Sequence, residues 1–238
     1  MTATALLLAA GLATRLGSLR RRWAKACVPV AGTSPLAFLL PRLAAAGVDR
    51  VWINLHHRPE QVRAQARAAA PPGLELRFLE EKHLLGTGGT LAAVAEADGA
   101  LPDLVVNAKV FTDFPFGSLL ADPEPALVLH PASPLREFGG LRHARGRIVG
   151  LAGRDEDPAR AAVYTGIARP DPAWLPHLTA ARPAGGLRCL VRHGLLPALA
   201  AGRRPRAVLH AGWWREISTP ERLARARAEM AGLAGRES

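Results

Sequence analysis

Short strand-like segments alternate with helix-like segments over the first 107 residues, and this alternation limits the fold more than any other feature of the sequence. The predicted strands are 3–9, 48–55, 74–80 and 103–107. The predicted helices are about 35–46, 60–69 and 87–97, and glycine or proline follows each of them. Strands and helices at this spacing build parallel sheets, so we expect an α/β, Rossmann-like sheet flanked by helices. Ligands bind such sheets beyond the carboxyl ends of the strands.

The pattern changes after residue 125. Strand-like runs at 126–130, 139–151 and 161–168 are joined by glycine or charged turns, and no clear helix is predicted before about residue 187. Strands return within 206–217, and a last helix begins near Ser218 or Thr219, either of which can cap it. We therefore expect a mixed sheet whose second half forms a small antiparallel lobe on the substrate side.

The formal net charge of +11 raises the question of nucleic-acid binding, but the distribution of the charge argues against it. Only three of the 31 basic residues are lysines, and the arginines are spread along the chain with one tight cluster at 20–22. Aromatic residues do not alternate with them, as a single-strand binder requires. Nucleic acid is therefore not expected as a partner. Lys25, Lys82 and Lys109 mark positions where a compact ammonium group is favoured over arginine.

The cysteines and the apolar runs indicate the compartment. Cys27 and Cys189 are far apart and lack a His or Cys at ligand spacing, which argues against a disulfide framework and a structural zinc site. The longest early apolar run, 5–10, is too short to cross a membrane and lacks a basic leader. The sequence therefore predicts a cytoplasmic location without membrane association.

The segment LLLAAGLATRL, at 6–16, is the first candidate site. A buried strand that ends in Ala9-Ala10-Gly11 lets the backbone approach a ligand closely, and its N–H groups can cradle phosphate oxygens. Arg15 can clamp a phosphate and Lys25 can add a point charge. The alternative is an ordinary loop with exposed cations, and the spacing alone does not choose between the two.

Seven motifs follow one another over nearly the whole chain: LAAGLATR, AKACVPVAG, GVDRVWIN, LLGTGGT, VVNAKVFTDF, YTGI and WWREISTPERL. This order resembles that of the sugar-1-phosphate nucleotidyltransferases, and the members it resembles most are N-acetylmuramate-1-phosphate uridylyltransferase-like and mannose-1-phosphate guanylyltransferase-like. The resemblance implies one nucleotidyltransferase domain over 1–238. A nucleotide-binding half would cover about 1–122, and a sugar-side half with the C-terminal helix about 123–238.

The resemblance also implies roles for matching residues. Catalytic roles at the phosphates are implied for Arg15 and Lys25. Lys109 is a third candidate catalytic residue, on account of its charge and not of the resemblance. Nucleotide-binding and sugar-binding roles are implied for two further sets: Ala9, Ala10, Gly11, Glu81, Gly86 and Thr87, and then Gly139 or Gly140, Thr165 and Gly166. In such enzymes a sugar 1-phosphate attacks the α-phosphorus of a nucleoside triphosphate, pyrophosphate leaves, and Mg²⁺ assists.

Several positions depart from the family's pattern. Ala13 replaces a glycine of the phosphate loop, the segment 24–26 reads Ala-Lys-Ala instead of Pro-Lys-Pro, and Tyr164 replaces an asparagine. The two carboxylates that hold Mg²⁺ in relatives fall at Lys109 and Glu216. Glutamate remains a suitable ligand, but an ammonium group repels Mg²⁺, so the Mg²⁺ expected from the family is doubtful here.

Three interpretations of Lys109 remain open. Its ammonium group replaces the metal and neutralises phosphate; or it pairs with Glu216 in a protein that no longer catalyses; or it points to solvent while Asp113 takes a metal. Glu216 and Asp113 are accordingly weak candidates for metal binding. The main prediction is the formation of an NDP-sugar and pyrophosphate from a nucleoside triphosphate and a sugar 1-phosphate. The alternative is a degenerate relative that binds nucleotide or a protein partner in a regulatory or scaffolding role.

Overall fold

The computed structural model describes residues 2–180 and 186–234, with side chains described up to residue 232. Within these ranges a nine-stranded mixed sheet forms the centre of the molecule, and a two-stranded ribbon lies beside it. The strands are β1 (Thr4–Leu8), β2 (Arg50–Leu55), β3 (Glu75–Glu80), β4 (Leu104–Asn107), β5 (Val110–Thr112), β6 (Ala126–His130), β7 (Gly140–Ala144), β8 (Arg147–Ala152), β9 (Ala161–Arg169), β10 (Arg206–Leu209) and β11 (Trp214–Glu216). The expected α/β fold with a mixed sheet is confirmed.

Helices cover both faces of the sheet. They are α1 (Pro35–Ala45), α2 (Pro59–Ala69), α3 (Gly86–Asp98), α4 (Gly117–Leu120), α5 (Leu135–Phe138), α6 (Leu175–Thr179), α7 (Leu196–Ala200) and α8 (Pro220–Ala234). Helix α1 begins at a clear signal, because the Ser34 hydroxyl accepts a hydrogen bond from the Ala37 N–H at 3.2 Å and Pro35 occupies the first turn. A π-helical turn at Leu190–Leu195 continues directly into α7.

The first half of the sheet is parallel, as its sequence predicts. Strands β3, β2, β1 and β4 lie side by side in that order and run in one direction. Alternate residues of β1 serve the two faces: Ala5 and Leu7 join the cluster with Leu36 and Leu39 of α1, whereas Leu6 joins the opposite cluster. Both faces of the strand are therefore buried, which explains its continuous apolar sequence.

The second half forms a ring of strands. Strand β9 runs antiparallel to β4 and to β6, and the sequence of neighbours then passes through β10 and β8 to β7. Strand β7 pairs back onto β9, with Leu141 opposite Ala162, so that β9, β6, β10, β8 and β7 close on one another. The expected antiparallel lobe is largely present, with one correction: β10 runs parallel to β6.

The expectation of no helix between residues 125 and 187 is also wrong. Helices α5 and α6 and a 3₁₀ turn at Pro172–Trp174 occur there. Each is five residues or fewer, too short for a helical apolar period to show in the sequence.

The ribbon of β5 and β11 connects the sheet to α8. Glu216 lies opposite Val110 and Trp214 opposite Thr112 in antiparallel register. The Thr219 hydroxyl accepts a hydrogen bond from the Arg222 N–H at 3.3 Å, so Thr219 is the residue that caps α8. No helix in the described parts of the chain has the length and apolar character needed to cross a membrane.

Candidate active site

A cavity of about 260 Å³ opens at the carboxyl ends of β1, β2 and β4. Its lining includes all the residues predicted to bind nucleotide: Ala9, Ala10, Gly11, Glu81, Gly86 and Thr87. Lys25 and Lys109 also line it, together with Asn54, Thr90 and Asn107. The edge of the sheet at which ligands were expected is thus where the structure brings these residues together.

The loop after β1 is held by Asn54, at the end of the neighbouring strand β2. The Asn54 side-chain oxygen accepts hydrogen bonds from the Ala9 N–H at 2.6 Å and the Ala10 N–H at 3.2 Å. These two amides are therefore engaged within the protein, because Asn54 reaches them from the adjacent parallel strand. An added Cβ at Gly11 would lie 4.0 Å from Lys25 Nζ, which places the lysine beside the loop.

Glu81 is buried and both of its carboxylate oxygens are used within the protein. Oε1 accepts from Asn54 Nδ2 at 2.8 Å and from the Thr90 hydroxyl at 2.6 Å, and Oε2 accepts from the Leu85 N–H at 2.9 Å. The side chain therefore fixes the loop that precedes α3 and connects it to the loop after β1. Sequence reasoning missed Asn54 and Thr90; a polar residue near the end of a buried strand was the available signal for Asn54.

The start of α3 packs tightly against the segment 188–190. Gly86 has φ +76°, and an added Cβ there would lie 2.6 Å from the carbonyl oxygen of Arg188. That same oxygen accepts the Gly88 N–H at 2.7 Å. The Thr87 hydroxyl accepts a hydrogen bond from the Leu190 N–H at 2.9 Å, so it is engaged within the protein. Glycine at position 86 is thus required by a close backbone approach.

A second cavity, of about 130 Å³, adjoins the first, and Asn107 and Lys109 line both. Arg15 lines only the second cavity, together with Thr165, Glu216 and other residues of the second half. The Thr165 hydroxyl donates to the Val128 carbonyl at 2.8 Å, so Thr165 presents no free hydroxyl. Arg15 and Lys25, predicted near the same phosphates, therefore line different members of this pair of cavities, and the charge of Arg15 still contributes to lowering the pKa of Lys25.

The three glycines predicted on the sugar side have different surroundings. A side chain at Gly166, where φ is +84°, would collide with the side-chain amide of Asn107, so this glycine makes room for Asn107. A side chain at Gly140 would collide with the Ala162 carbonyl across the strand pair. Gly139 has φ +69° and open space around it. Gly166 is the one among them that shapes the lining of the cavities.

Ala13, which replaces a glycine of the family's phosphate loop, keeps a glycine-like backbone. Its φ is +54°, in the left-handed region, and the residue is buried. A left-handed conformation costs a non-glycine residue roughly 1–2 kcal/mol. Ala13 therefore stands in a turn whose backbone conformation favours glycine.

Lys109 forms an ion pair with Glu216. Lys109 Nζ lies 3.0 Å from Glu216 Oε1, and the exposed fractions of the two side chains are 31% and 4%. The Ser218 hydroxyl donates to the same oxygen, and Lys25 Nζ lies 3.4 Å from the Ser218 hydroxyl. One of the three interpretations of the sequence predicted this ion pair, and the structure contains it. The interpretation in which Lys109 points to solvent is wrong.

The charges in this cluster shift two pKa values. Burial alone would raise the pKa of Glu216, but Lys109, together with Ser218 and Arg222, lowers it to about 2. Burial, followed by the repulsion from Lys109, lowers the pKa of Lys25 to about 8. Glu216 is therefore ionised at neutral pH, and Lys25 loses its charge in mildly alkaline solution.

The side chains around Glu216 do not offer the set of oxygen ligands that Mg²⁺ needs. Glu216 is a single carboxylate whose oxygens are engaged by Lys109, Ser218 and Arg222, and an ammonium group occupies the position where a second carboxylate would be needed. Among residues 2–180 and 186–234, no three His, Cys, Asp or Glu side chains come together to hold a metal ion. Asp113 pairs with His210 at 2.8 Å, and three residues of strand, about 10 Å, separate it from the position opposite Glu216.

Residues 5–119 match the MobA-like NTP transferase domain family. Mannose-1-phosphate guanylyltransferase of Mycobacterium tuberculosis is 27% identical over 234 residues, which cover 95% of this chain and 64% of that protein. N-acetylmuramate alpha-1-phosphate uridylyltransferase of Caulobacter vibrioides is 29% identical over 240 residues, covering 95% of this chain and 96% of that protein. The chain thus spans less than two thirds of the first relative and nearly all of the second.

Two solved structures have the same fold. HddC from Yersinia pseudotuberculosis, complexed with GMP-PN, superposes with a TM-score of 0.74 at 16% identity, covering 96% of this chain and 100% of that one. A putative glucose-1-phosphate thymidylyltransferase from Bacillus anthracis gives 0.77 at 16% identity, covering 95% of both chains. The first half of the chain thus matches the model of the MobA-like NTP transferase domain, and the chain as a whole is similar to a guanylyltransferase and a uridylyltransferase that act on sugar 1-phosphates.

Proposed function

We propose that this protein joins a nucleoside triphosphate to a sugar 1-phosphate, giving an NDP-sugar and pyrophosphate. The observation that carries the proposal is the pair of adjoining cavities: Lys109 lines both, Lys25 lines the first and Arg15 lines the second. Two phosphate-bearing substrates need two adjacent sites that share a cation at the point of reaction. The homology to guanylyl- and uridylyltransferases supports the same reaction.

In this reaction the protein mainly positions the two substrates and neutralises the charge of their phosphates. An oxygen of the sugar phosphate bonds to the α-phosphorus while the bond from that phosphorus to the bridging oxygen breaks. The bridging oxygen keeps the electron pair and leaves in pyrophosphate. Lys25, Lys109 and Arg15 would stabilise the negative charge on the phosphate oxygens during this exchange.

Lys109 is the residue that we propose to act where the family generally uses Mg²⁺. Its side chain is 31% exposed, so the ammonium group can leave Glu216 and approach a phosphate without a change in the backbone. Two unit charges 4 Å apart attract by about 4 kcal/mol at an effective dielectric of 20, and a phosphate offers more than one charge. A ligand phosphate can therefore compete with Glu216 for this lysine.

A second candidate function is binding without turnover. The ion pair between Lys109 and Glu216 favours it, because a closed pair occupies the position of the family's metal. In that case the protein would bind nucleotide or a protein partner and act by regulation. Nucleotide binding would still stabilise the fold, but pyrophosphate would not be released.

A pyrophosphate-release assay over GTP, UTP, dTTP and ATP with several sugar 1-phosphates tests the proposal. We expect turnover that persists in excess EDTA for the wild type. The K109D variant, which returns a carboxylate opposite Glu216, should become chelator-sensitive. Strict Mg²⁺ dependence of the wild type would contradict the role of Lys109, and thermal stabilisation by nucleotide without turnover for any pair would favour the binding function.

A further inference from the structure

Glu216 is shared by two cations that contact different oxygens. Lys109 and the Ser218 hydroxyl contact Oε1, whereas Arg222 donates from Nη1 to Oε2 at 2.7 Å. Neither cation blocks the other, and the three side chains together carry a net charge of +1. One of the two cations can therefore leave while the carboxylate keeps the other as its partner.

Arg222 is held in place by groups other than Glu216. Its Nη2 donates to the Glu137 carbonyl at 2.8 Å, and its guanidinium carbon lies 3.8 Å from the centre of the Phe138 ring. The backbone N–H of Arg222 donates to the Thr219 hydroxyl at the start of α8. The Arg222 side chain is 10% exposed. These contacts fix the guanidinium group whether or not Lys109 is present.

Lys109 is held far less firmly. Its ammonium group has Glu216 as its one acidic partner among the described residues, and its side chain is three times as exposed as that of Arg222. A lysine also reaches a new partner by rotating a flexible stem, whereas the planar guanidinium group is committed to its forked contacts. The two cations on Glu216 therefore differ in mobility.

We infer that Arg222 is a positioning residue: it is the permanent counter-ion of Glu216, and it thereby frees Lys109 to transfer to a substrate phosphate. This inference rests on the proposed function. A buried carboxylate that loses its last cationic partner is strongly unfavourable, so a lysine that was the only cation on Glu216 would be held there. With Arg222 in place, Glu216 remains paired after Lys109 moves. The apparent affinity for phosphate then depends on the fraction of molecules in which Lys109 is available.

Phosphate affinity in R222M, E216Q and the R222M/E216Q double variant tests the inference. Calorimetric binding of inorganic pyrophosphate, and of the best-bound of GTP, UTP, dTTP and ATP, is measured in EDTA at neutral pH. We expect R222M to weaken binding about tenfold because Lys109 becomes confined to Glu216. Removal of the carboxylate in R222M/E216Q should restore the affinity to within about threefold of the wild type. A merely structural role for Arg222 would not be rescued by a second substitution.

R225M is the matched control, since Arg225 lies on the same helix and pairs with Glu137 at 2.9 Å without contacting Glu216. It should bind pyrophosphate like the wild type, and a loss equal to that of R222M would overturn the inference. E216Q alone decides the case if R222M does not fold: it should tighten binding about threefold, and equal or weaker binding contradicts the inference. Failure of R222M/E216Q to recover also overturns it. If the wild type binds neither pyrophosphate nor any nucleotide, both this inference and the proposed function are contradicted.

Discussion

Two buried glutamates line different members of the pair of cavities, and the protein holds them in different ways. Glu81 is 4% exposed and is bonded by uncharged donors, from Asn54, Thr90 and the Leu85 backbone. Glu216 is buried to a similar extent and is bonded by two cations and a hydroxyl group. Both carboxylates are satisfied, yet their partners differ in charge and in mobility.

This difference indicates that the two glutamates have different roles. Uncharged donors fixed on strands and helices keep Glu81 and the loops around it in one arrangement, which suits the recognition of a ligand's shape. A cationic partner on a flexible stem gives Glu216 an interaction that a phosphate can compete for. The first cluster is therefore expected to act on stability, and the second on phosphate binding and on the dependence of stability on pH.

The largest expected effect is that of K109M on turnover. If Lys109 stabilises phosphate charge in the transition state, kcat/KM should fall by about 10²–10³-fold, as when one preorganised charge-stabilising group is removed. Steady-state pyrophosphate release in EDTA measures it. K82M, at an exposed lysine, is the matched control and should retain wild-type rates. A K109M enzyme as fast as the wild type would end the proposed role of this lysine.

The second prediction concerns acid. The folded-state pKa of Glu216 is about 2, below its usual 4.5, so the ionised carboxylate stabilises the fold above pH 4.5 and this contribution is lost as the pH falls to about 2. The stabilisation amounts to about 3 kcal/mol at neutral pH. Urea unfolding of the wild type and of E216Q should give free energies whose difference shrinks between pH 6 and pH 3. A difference that is constant with pH would contradict the charge-based account of this cluster.

Removal of the other glutamate should affect stability through hydrogen bonding. E81A deprives Asn54, Thr90 and the Leu85 N–H of their acceptor, so we expect a loss of about 2–3 kcal/mol of unfolding free energy, the cost of buried donors left unsatisfied. Denaturant midpoints measure it. E80A removes an exposed ion pair with Arg63 and should cost less than about 1 kcal/mol. Equal losses in the two variants would show that the Glu81 network is not needed for stability.

The smallest effect is that of Lys25 on affinity. Its pKa of about 8 means that the free protein loses this positive charge as the pH rises through 8, and nucleotide affinity should weaken about three- to tenfold between pH 7.5 and 9. K25R, whose guanidinium group stays charged, should show a flat profile by calorimetry over the same range. An identical alkaline loss in K25R would assign the titration to another group.

The sequence predicted the parallel half well because its information is local. The apolar run of β1, the Ser34-Pro35 start of α1 and the glycine that ends the helical pattern each indicate structure within a few residues. The parallel pairing of β10 with β6 was missed because it joins residues about 80 positions apart, and nothing local encodes that direction.

The candidate site was predictable to a similar extent. The motifs predicted that Gly11, Gly86 and Lys109 lie at one edge of the sheet. The resemblance to the family suggested the Lys109–Glu216 pair. The sequence could not show that Asn54 takes the amides of the loop after β1, since this depends on how two strands are aligned. It also could not distinguish Arg222 from the other arginines of α8, because its partners Glu137 and Phe138 lie far away in the chain.

The closed ring of β6 to β10 has a consequence for how copies of this protein can meet. Since β7 pairs with both β8 and β9, β3 is the one strand of the nine-stranded sheet, within the described residues, that has a neighbour on a single side. That edge carries Glu75 and Arg77, which form an ion pair with each other. Charged side chains on an edge strand oppose pairing with a strand from another copy. Self-association by extension of the nine-stranded sheet is therefore disfavoured.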